Sequence, residues 1–395
     1  MGPAVAQPLT EQSLRFGVEE EFLLIDAVGR RSAARADQVV ADAKQVLDER
    51  AQSEFYASQV EGCTPPVTTA SQLRAELIAM RRALVAAAAR AGCSLLASGS
   101  AVLPSAHPLP VTDADRYRRI ARHVGPVADQ LGGEMCGCHV HIGDLTRGEA
   151  LAVGNRLRPW LPVLQAISTN SPFCEGQDSA LASSRSVQYG RWPTVGPAPV
   201  LDEEQYERTA EELLSSGVLL DRRMIYWFSR PSEHLPTIEV RIADVNADVN
   251  VPVLLASLIR ALVHVLLPEA RAGAPYPAVA RETLCAAHRQ AARVGLRGAG
   301  LDPVSGNYRP MSDLFARLLD RAAPGLEAAG DLPMANALVE RLLKHGTGAD
   351  RQRAALDRDG SLPAVVDRLV ELTAAHDTSP GGPPSTDAPV AGARG

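Results

Sequence analysis

The sequence predicts an α+β fold: one sheet with helices on one face and a ligand site on the other. Three observations carry this. Apolar, β-branched runs bounded by turn residues are concentrated in residues 13–245 and alternate with helical stretches, whereas 251–376 reads as helix with short breaks. Several of those runs are apolar at every second position and ionisable between. The ionisable positions carry Glu, His and Arg rather than Ser, Thr or Lys.

The first run is Phe16–Asp26, Phe-Gly-Val-Glu-Glu-Glu-Phe-Leu-Leu-Ile-Asp, followed by a Val28-Gly29 turn signal. Its aromatic and branched residues make it a strand. Successive strand side chains point to opposite faces, so Glu19 and Glu21 share a face with Gly17, and Val18, Glu20 and Phe22 take the other. Two carboxylates whose Cα atoms are about 6.5–7 Å apart repel unless a cation sits between them, and a hard divalent cation is the simplest one. The competing reading is an edge strand whose solvated glutamates resist pairing. Glu20 falls on the apolar side, where it needs a sheet edge or an arginine partner.

Residues 33–50 have helical composition. Residues 53–62 read as a strand ending in Gln59-Val60-Glu61-Gly62 and stopped by Thr64-Pro65-Pro66. Ser71 is the expected cap of an Ala/Leu/Arg helix over 72–91, with Gly92 beyond its end. Residues 93–100 form a short buried strand, 101–110 a proline-rich loop, and 113–131 a helix broken at Gly125-Pro126. In the strand 134–143, His139 and His141 face one side while Cys138, Val140 and Ile142 face the other. Thr146 and Glu149 make a capping box for a helix to about residue 169, kinked or split by Pro159 and Pro162.

Residues 170–199 are irregular and too long for a plain connector. Arg185, Tyr189, Arg191 and Trp192 mark them as an anion-binding loop; the alternative is surface arginines. A helix over 202–216 precedes two strands, 224–229 and 237–243, joined by a turn over 230–234. Glu239 and Arg241 share a face of the second strand, and Trp227 is read as core rather than a base platform. The later helices break at 273–277, 298–310, 324–333 and 346–348. The division expected is a leader over 1–12, one domain over 13–376 and a disordered Pro/Gly-rich tail over 377–395.

With 395 residues, 46% hydrophobic but only 4% aromatic, the core must be built from Ala, Leu and Val. A net charge of −6 without basic clusters gives no expectation of nucleic acid. Lys44 and Lys344 are the only lysines, so a catalytic cation is Arg or a metal. No basic and apolar signal segment opens the chain, and the run 251–267 is interrupted by Arg260 and His264, so neither a signal peptide nor a membrane partner is expected. Six cysteines make no disulfide framework, and Cys136-x-Cys138 lacks the second pair of a structural zinc site. A reducing cytoplasm fits.

Assembled on one sheet face, Glu19, Glu21, Glu61, His139, His141 and Glu239 would carry unbalanced negative charge beside Arg241. Divalent metals bridged to an anionic ligand neutralise such a face. That arrangement suits phosphoryl transfer from a nucleotide. No P-loop or kinase glycine loop is present, so the nucleotide site must be metal-centred. Zinc is the rival metal for His-x-His plus carboxylate; the missing H-E-x-x-H motif and the number of carboxylates favour a harder ion.

Several motifs occur in order: Gly17-Val-Glu-Glu-Glu-Phe22, Cys136-Gly-Cys-His-Val-His-Ile-Gly143, Asn170-Ser-Pro-Phe-Cys-Glu-Gly176, Ser184-Arg-Ser186 with Gly190-Arg-Trp-Pro-Thr194, Arg230-Pro-Ser232 with Pro236-Thr-Ile-Glu-Val-Arg-Ile-Ala-Asp244, and Gly346-Thr-Gly-Ala-Asp-Arg-Gln-Arg353. Over roughly residues 13–375 the chain resembles the bacterial glutamate–cysteine ligase type 2 family, the carboxylate–amine ligases. The resemblance implies a glutamine-synthetase-like fold, with a curved, largely antiparallel sheet, helices on its convex face and the active site on its concave face. It also implies ATP, Mg²⁺ or Mn²⁺, small carboxylate and amine substrates, and a homodimer. Carried over by motif, Glu19, Glu21, Glu61, His139 or His141, and Glu239 are metal ligands, and Arg241 contacts the transferred phosphate. Arg185 and Arg191 are candidates for a substrate carboxylate or the phosphate tail. Phe228 stands where the family pattern leads one to expect an acid.

The reaction expected joins L-glutamate and L-cysteine through an acyl phosphate. The alternatives are another acid–amine pair, a guanidino-type phosphotransferase, and a non-catalytic binding protein.

Overall fold

The computed structural model describes residues 14–125 and 133–375. The expected leader, the end of the helix expected over 113–131 and the expected tail lie outside them. In chain order the elements are β1 (Phe16–Asp26), α1 (Ala36–Leu47), β2 (Ala51–Ser53), β3 (Gln59–Cys63), α2 (Ala70–Arg90), β4 (Cys93–Leu96), α3 (Asp115–Val124) and β5 (Gly137–Ile142). Then come α4 (Arg147–Leu157), α5 (Leu161–Ile167), β6 (Phe173–Cys174), β7 (Gln177–Asp178), α6 (Ser184–Tyr189), α7 (Glu203–Ser215), β8 (Ser229–Pro231) and β9 (Ile238–Asp244). The remainder is α8 (Asn250–Arg271), α9 (Arg281–Val294), β10 (Ala299–Leu301), β11 (Tyr308–Pro310), α10 (Met311–Ala328), α11 (Leu332–His345), α12 (Gly348–Asp359) and α13 (Leu362–Ala374).

The main sheet runs β2-β3-β1-β5-β9-β8, and β4 pairs with the far half of β1. Every pairing in it is antiparallel. β1 alternates as its sequence demands: Phe16, Val18 and Phe22 are buried, whereas Gly17, Glu19 and Glu21 are partly open. Burying a large apolar side chain of this kind contributes about 1.5–3 kcal/mol. The buried side packs on α8 and α2. α8 is long and apolar enough to cross a membrane by length and composition, which the run 251–267 was expected not to be; most of that length is buried inside the protein as its central core helix. Arg260, halfway along α8, is held by Asp331 and the Thr68 carbonyl.

Glu20 is fully buried on the helix side and meets Arg81 of α2 in a two-bonded pair, Nε–Oε2 2.8 Å and Nη2–Oε1 2.6 Å. The arginine partner resolves the position that alternation left uncomfortable.

Several boundaries differ from expectation. The single strand over 53–62 is a hairpin, β2 against β3, with Gln52 opposite Glu61. α2 is capped by Thr69 rather than Ser71, because the Thr69 hydroxyl and the Gln72 side chain satisfy each other's backbone N–H groups. The expected helix over 146–169 is split into α4 and α5 around Pro159. The stretch 224–229 is not a strand: a 3₁₀ turn ends at Met224, and pairing begins at Ser229. The irregular segment 170–199 contains a short ladder, β6 with β7, and α6. Pro324 does not end α10, which runs to Ala328.

Candidate active site

The register of five strands builds the site. Glu19 lies opposite Cys63 of β3 on one side and His139 of β5 on the other. Glu21 faces Glu61 across β1 and β3. His141 faces Gly17 on β1 and Glu239 on β9, and Glu239 faces Arg230 on β8. All of these but Gly17 and Cys63 line one cleft of about 420 Å³. Every residue selected from strand alternation is therefore on the same face: Glu19, Glu21, Glu61, His139, His141, Glu239 and Arg241.

Both histidines reach the Glu19 carboxylate, His139 Nδ1 at 3.4 Å and His141 Nε2 at 3.3 Å, and His139 Nε2 is 3.6 Å from Glu21. The Thr237 hydroxyl stands 3.0 Å from His141 Nδ1, and the Gly137 N–H donates to Glu21 Oε2. Arg230 Nε donates to one oxygen of Glu239 at 2.8 Å, and Arg241 donates to the other. Arg241 also donates to the Tyr189 hydroxyl at 3.3 Å.

The electrostatics divide this face. Burial pushes the Glu61 carboxyl well above its usual range, helped by the charges of Glu19 and Glu54. Glu54 is raised for the same reason, burial first and then Glu21. At the other end burial works against the Glu239 charge, but Arg241 and Arg230 outweigh it and hold the group well below its range. Burial also opposes the Glu19 charge, and hydrogen bonds to His139 and His141 reverse the sign. His141 is raised: burial lowers it, and Glu19 more than compensates. His139 is lowered by burial and then by Arg241.

A divalent cation fits these residues. His139 and His141 are 3% and 7% exposed, and the buried Nε2 of each faces a carboxylate, Glu21 at 3.6 Å and Glu19 at 3.3 Å, in place of a well-aligned hydrogen bond. Thr237 occupies the other nitrogen of His141, as an outer partner of a metal-bound imidazole does. Carboxyls forced up by neighbouring negative charge are relieved by a cation. Three groups of side chains each bring one ligand atom within 4.8 Å of the others: Glu19, His141 and Glu239; Glu21, Glu54 and Glu61; and Glu19, Glu61 and Cys63.

Glu54 and Cys63 were not foreseen. A continuous strand over 53–62 would put residues 54 and 61 on opposite faces. The hairpin turn between β2 and β3 instead returns Glu54 to the side of Glu61. Cys63 was legible, two residues beyond Glu61, had the strand been carried that far.

The two arginines of the 170–199 loop part company. Arg185 is buried in the cleft, its guanidinium over the Tyr189 ring at 5.1 Å and 3.9 Å from Asp244. Arg191 is exposed and does not line the cleft. Arg116, Arg223 and Arg230 do line it and were given no site role: nothing in the local sequence separates the first two from surface arginines, and Arg230 entered only as part of the Arg230-Pro-Ser232 motif. Phe55, Tyr117, Trp192 and Tyr226 form an aromatic wall. Phe228, expected to stand for an acid in the pocket, packs instead on His288 with ring centroids 4.4 Å apart, outside the cleft. Trp227 is core, edge-on to Tyr206.

An open antiparallel sheet with helices on one face and an acidic, arginine-edged cleft on the other is the glutamine-synthetase-like class of ligase fold. Solved structures share it. The glutamate–cysteine ligase of Francisella tularensis in complex with AMP superposes with a TM-score of 0.67 at 12% identity, covering 92% of this chain and 89% of that one. A bifunctional glutathione synthetase from Pasteurella multocida gives 0.65 at 16% identity, over 91% of this chain and 52% of that one. Residues 15–371 match glutamate-cysteine ligase family 2 (GCS2). A Salinispora arenicola protein named "Putative glutamate--cysteine ligase 2" is 42% identical over 363 residues, 91% of this chain and 95% of the relative. A Mycolicibacterium vanbaalenii protein named "Putative glutamate--cysteine ligase 2-2" is 43% identical over 361 residues, 91% and 97%. The chain belongs to glutamate–cysteine ligase family 2 and is an ATP-dependent ligase. The guanidino-type phosphotransferase reading finds no support in these relatives.

Proposed function

We propose that the chain is a carboxylate–amine ligase that joins L-glutamate to L-cysteine, converting ATP to ADP and phosphate. The observation that carries this is the convergence of Glu19, Glu21, Glu54, Glu61, His139, His141 and Glu239 on one sheet face with Arg241 at its edge. Such a face repels any phosphate or carboxylate unless cations intervene, and it is built to hold them. Glu19, His141 and Glu239 form one ligand set; Glu21, Glu54 and Glu61 form another. Mg²⁺ or Mn²⁺ held there would neutralise the phosphates of ATP.

The chain's own residues do the rest. Arg241 is fixed by Glu239 and Tyr189, and its charge is aimed into the cleft to balance the transferred phosphoryl group. Arg185, with a planar fork held over Tyr189, binds a substrate carboxylate. The γ-carboxylate oxygen attacks the γ-phosphorus of ATP, ADP leaves, and an acyl phosphate forms. The amine of the second substrate then attacks the acyl carbon, phosphate leaves with the bonding pair, and the amine loses a proton. Residues 13–376 act as one catalytic domain, a reading supported by the main hydrophobic cluster, which draws on residues from Leu14 to Leu369, with a second, smaller cluster around Phe55, Tyr206 and Trp227.

The test is ADP and amide formation with Mg-ATP across a panel of acids and amines. Glutamate with cysteine is expected to give both products. An amide from another pair only would overturn the substrate assignment and keep the ligase, and no ATP turnover with any pair would overturn both. Glu21→Ala is expected to abolish turnover while the protein stays folded, and retained activity would refute the ligand assignment.

A further inference from the structure

Two motifs of the sequence, 170–176 and 346–353, have no part in the reaction as proposed. The fold brings them together on the path that leads to Arg185. That arginine is 3% exposed and lines the cleft, yet its side chain makes no hydrogen bond among the described residues. It is held by the Tyr189 ring, by Asp244 at 3.9 Å and by packing over Gly137. Its place therefore depends on where α6 and Asp244 lie. α6 has six residues, too few to be stable alone. The buried Asp244 carboxylate anchors it. Oδ1 accepts from the Ser183 hydroxyl at 2.8 Å; Oδ2 accepts from the Ser171 hydroxyl at 2.7 Å and from the Asn170 N–H at 2.8 Å. Ser183 caps α6, and Ser171 Oγ accepts from the Arg185 N–H at 3.2 Å.

Asn170, 1% exposed, is itself fixed from α12. Its Nδ2 donates to the Ala97 and Val245 carbonyls, at 3.0 and 2.8 Å. Gln352 Nε2, 182 positions away in the chain, donates to Asn170 Oδ1 at 2.8 Å and to the Asn170 carbonyl at 2.9 Å. Among the described residues, Oδ1 has that donor alone. The Ala349 N–H donates to the Thr169 carbonyl at 3.0 Å. A Cβ on Gly348 would collide with Asn170 Oδ1, so only glycine lets α12 approach this closely. Gln352 is buried and leaves its own Oε1 without a partner. An apolar side chain of that length would serve packing better, so the amide is there for Asn170.

We propose that Gln352 and Gly348 are positioning residues for Arg185, acting through Asn170 and Asp244. Neither lines the cleft, yet the C-terminal helical motif sets the aim of its anion-binding arginine. The inference rests on the reading that Arg185 binds the substrate carboxylate. Without the Gln352 amide, Asn170 Oδ1 is buried with no donor, the 169–171 segment shifts, and the guanidinium fork loses its direction. A misplacement of about 1 Å, caused far from the chemistry, costs up to about a hundredfold.

Gln352→Met keeps the volume and removes the donor. Initial rates with Mg-ATP, L-glutamate and L-cysteine are measured for the wild type, Gln352→Met, Arg185→Ala and the double variant. Gln352→Met is expected to raise KM for L-glutamate about tenfold and KM for ATP by about twofold or less. In the Arg185→Ala background it is expected to add nothing, because both changes act on one contact. A fall in kcat with both KM values unchanged, the mark of a merely structural role, overturns the inference. So does an equal rise in KM in the Arg185→Ala background. Arg185→Ala with an unchanged KM overturns the substrate role of Arg185 and this inference with it. If Gln352→Met fails to fold, Gln352→Asn, with its amide one methylene back, carries the same comparison. A crystal structure of the Gln352 variant reads the positioning without turnover. The Arg185 guanidinium is expected to move by about 1 Å or more, and an unmoved guanidinium overturns this inference while the ligase assignment stands. A wild type without turnover overturns the substrate assignment instead, and the crystal structure then decides this inference.

Discussion

Glu20→Ala removes the acid from a charged pair buried on the helix side of β1. Glu20 is 0% and Arg81 2% exposed. Arg81 gives two bonds to the carboxylate and two more to the carbonyls of Ala247, at 2.9 Å, and Asn246, at 2.7 Å. Without Glu20 those neutral carbonyls still accept, but the guanidinium charge remains in the core without a counter-ion. Breaking such a pair costs about 3–5 kcal/mol, a large share of the roughly 5–15 kcal/mol that holds a domain folded. Replacing both partners by apolar residues, Glu20→Leu with Arg81→Met, removes the orphan charge and is expected to recover most of the loss. Equilibrium urea unfolding measures both. A loss under about 1 kcal/mol for Glu20→Ala, the range of an exposed pair, would refute the burial argument. So would a double variant no more stable than the single one.

Other outcomes follow from named contacts. A Cβ on Gly137 would stand 2.2 Å from Arg185 Nη2, so Gly137→Ala must displace that guanidinium; KM for the carboxylate substrate is expected to rise about tenfold, and an unchanged KM would remove Arg185 from substrate binding. Glu61→Gln is expected to raise the unfolding midpoint of the metal-free protein, because it deletes one of several crowded carboxyls, and to diminish the rise that Mg²⁺ or Mn²⁺ produces; at a concentration of about 100 Kd that rise corresponds to about 2.7 kcal/mol in the wild type. Calorimetry with and without the ion decides it, and an undiminished rise counts against Glu61 as a ligand. Burial disfavours the Asp248 charge, but Arg351 and Arg341, at 2.8 and 2.9 Å, outweigh it and hold the carboxyl below its usual range. A depressed folded value means the stabilisation is full above the unfolded value of about 3.9 and is lost as the pH falls below it. The stability gap between wild type and Asp248→Asn is therefore expected to be widest at neutral pH and to close in acid; a gap independent of pH would contradict it.

The legible part of the site was the part carried by strand periodicity. Glu19, Glu21, His139, His141, Glu239 and Arg241 each sit on a run whose apolar half must face the core, and a one-residue shift would bury the charges. Glu54, Arg116, Arg223 and Arg230 sit on turns, a helix face or a three-residue strand, too short to show a period. Their roles depend on which segments fold over the cleft. Arg185 and Arg191 looked alike in one loop; a single turn of helix, α6, buries the first and leaves the second exposed. The hairpin at 51–63 was misread because β2 is only three residues long and its turn carries no glycine or proline.

The sequence by itself determined that β1 is two-faced and that an acidic, histidine-bearing surface opposes an apolar one. That follows from covalent geometry, since alternate side chains must diverge. Tertiary structure decided the partners. The register of β3 and β5 against β1 set Glu19 between Cys63 and His139, and Glu21 against Glu61. α2 brought Arg81 to Glu20 from 61 positions away in the chain. Pairing across such distances is a matter of which faces bury one another, and alternation along one strand carries no information about that.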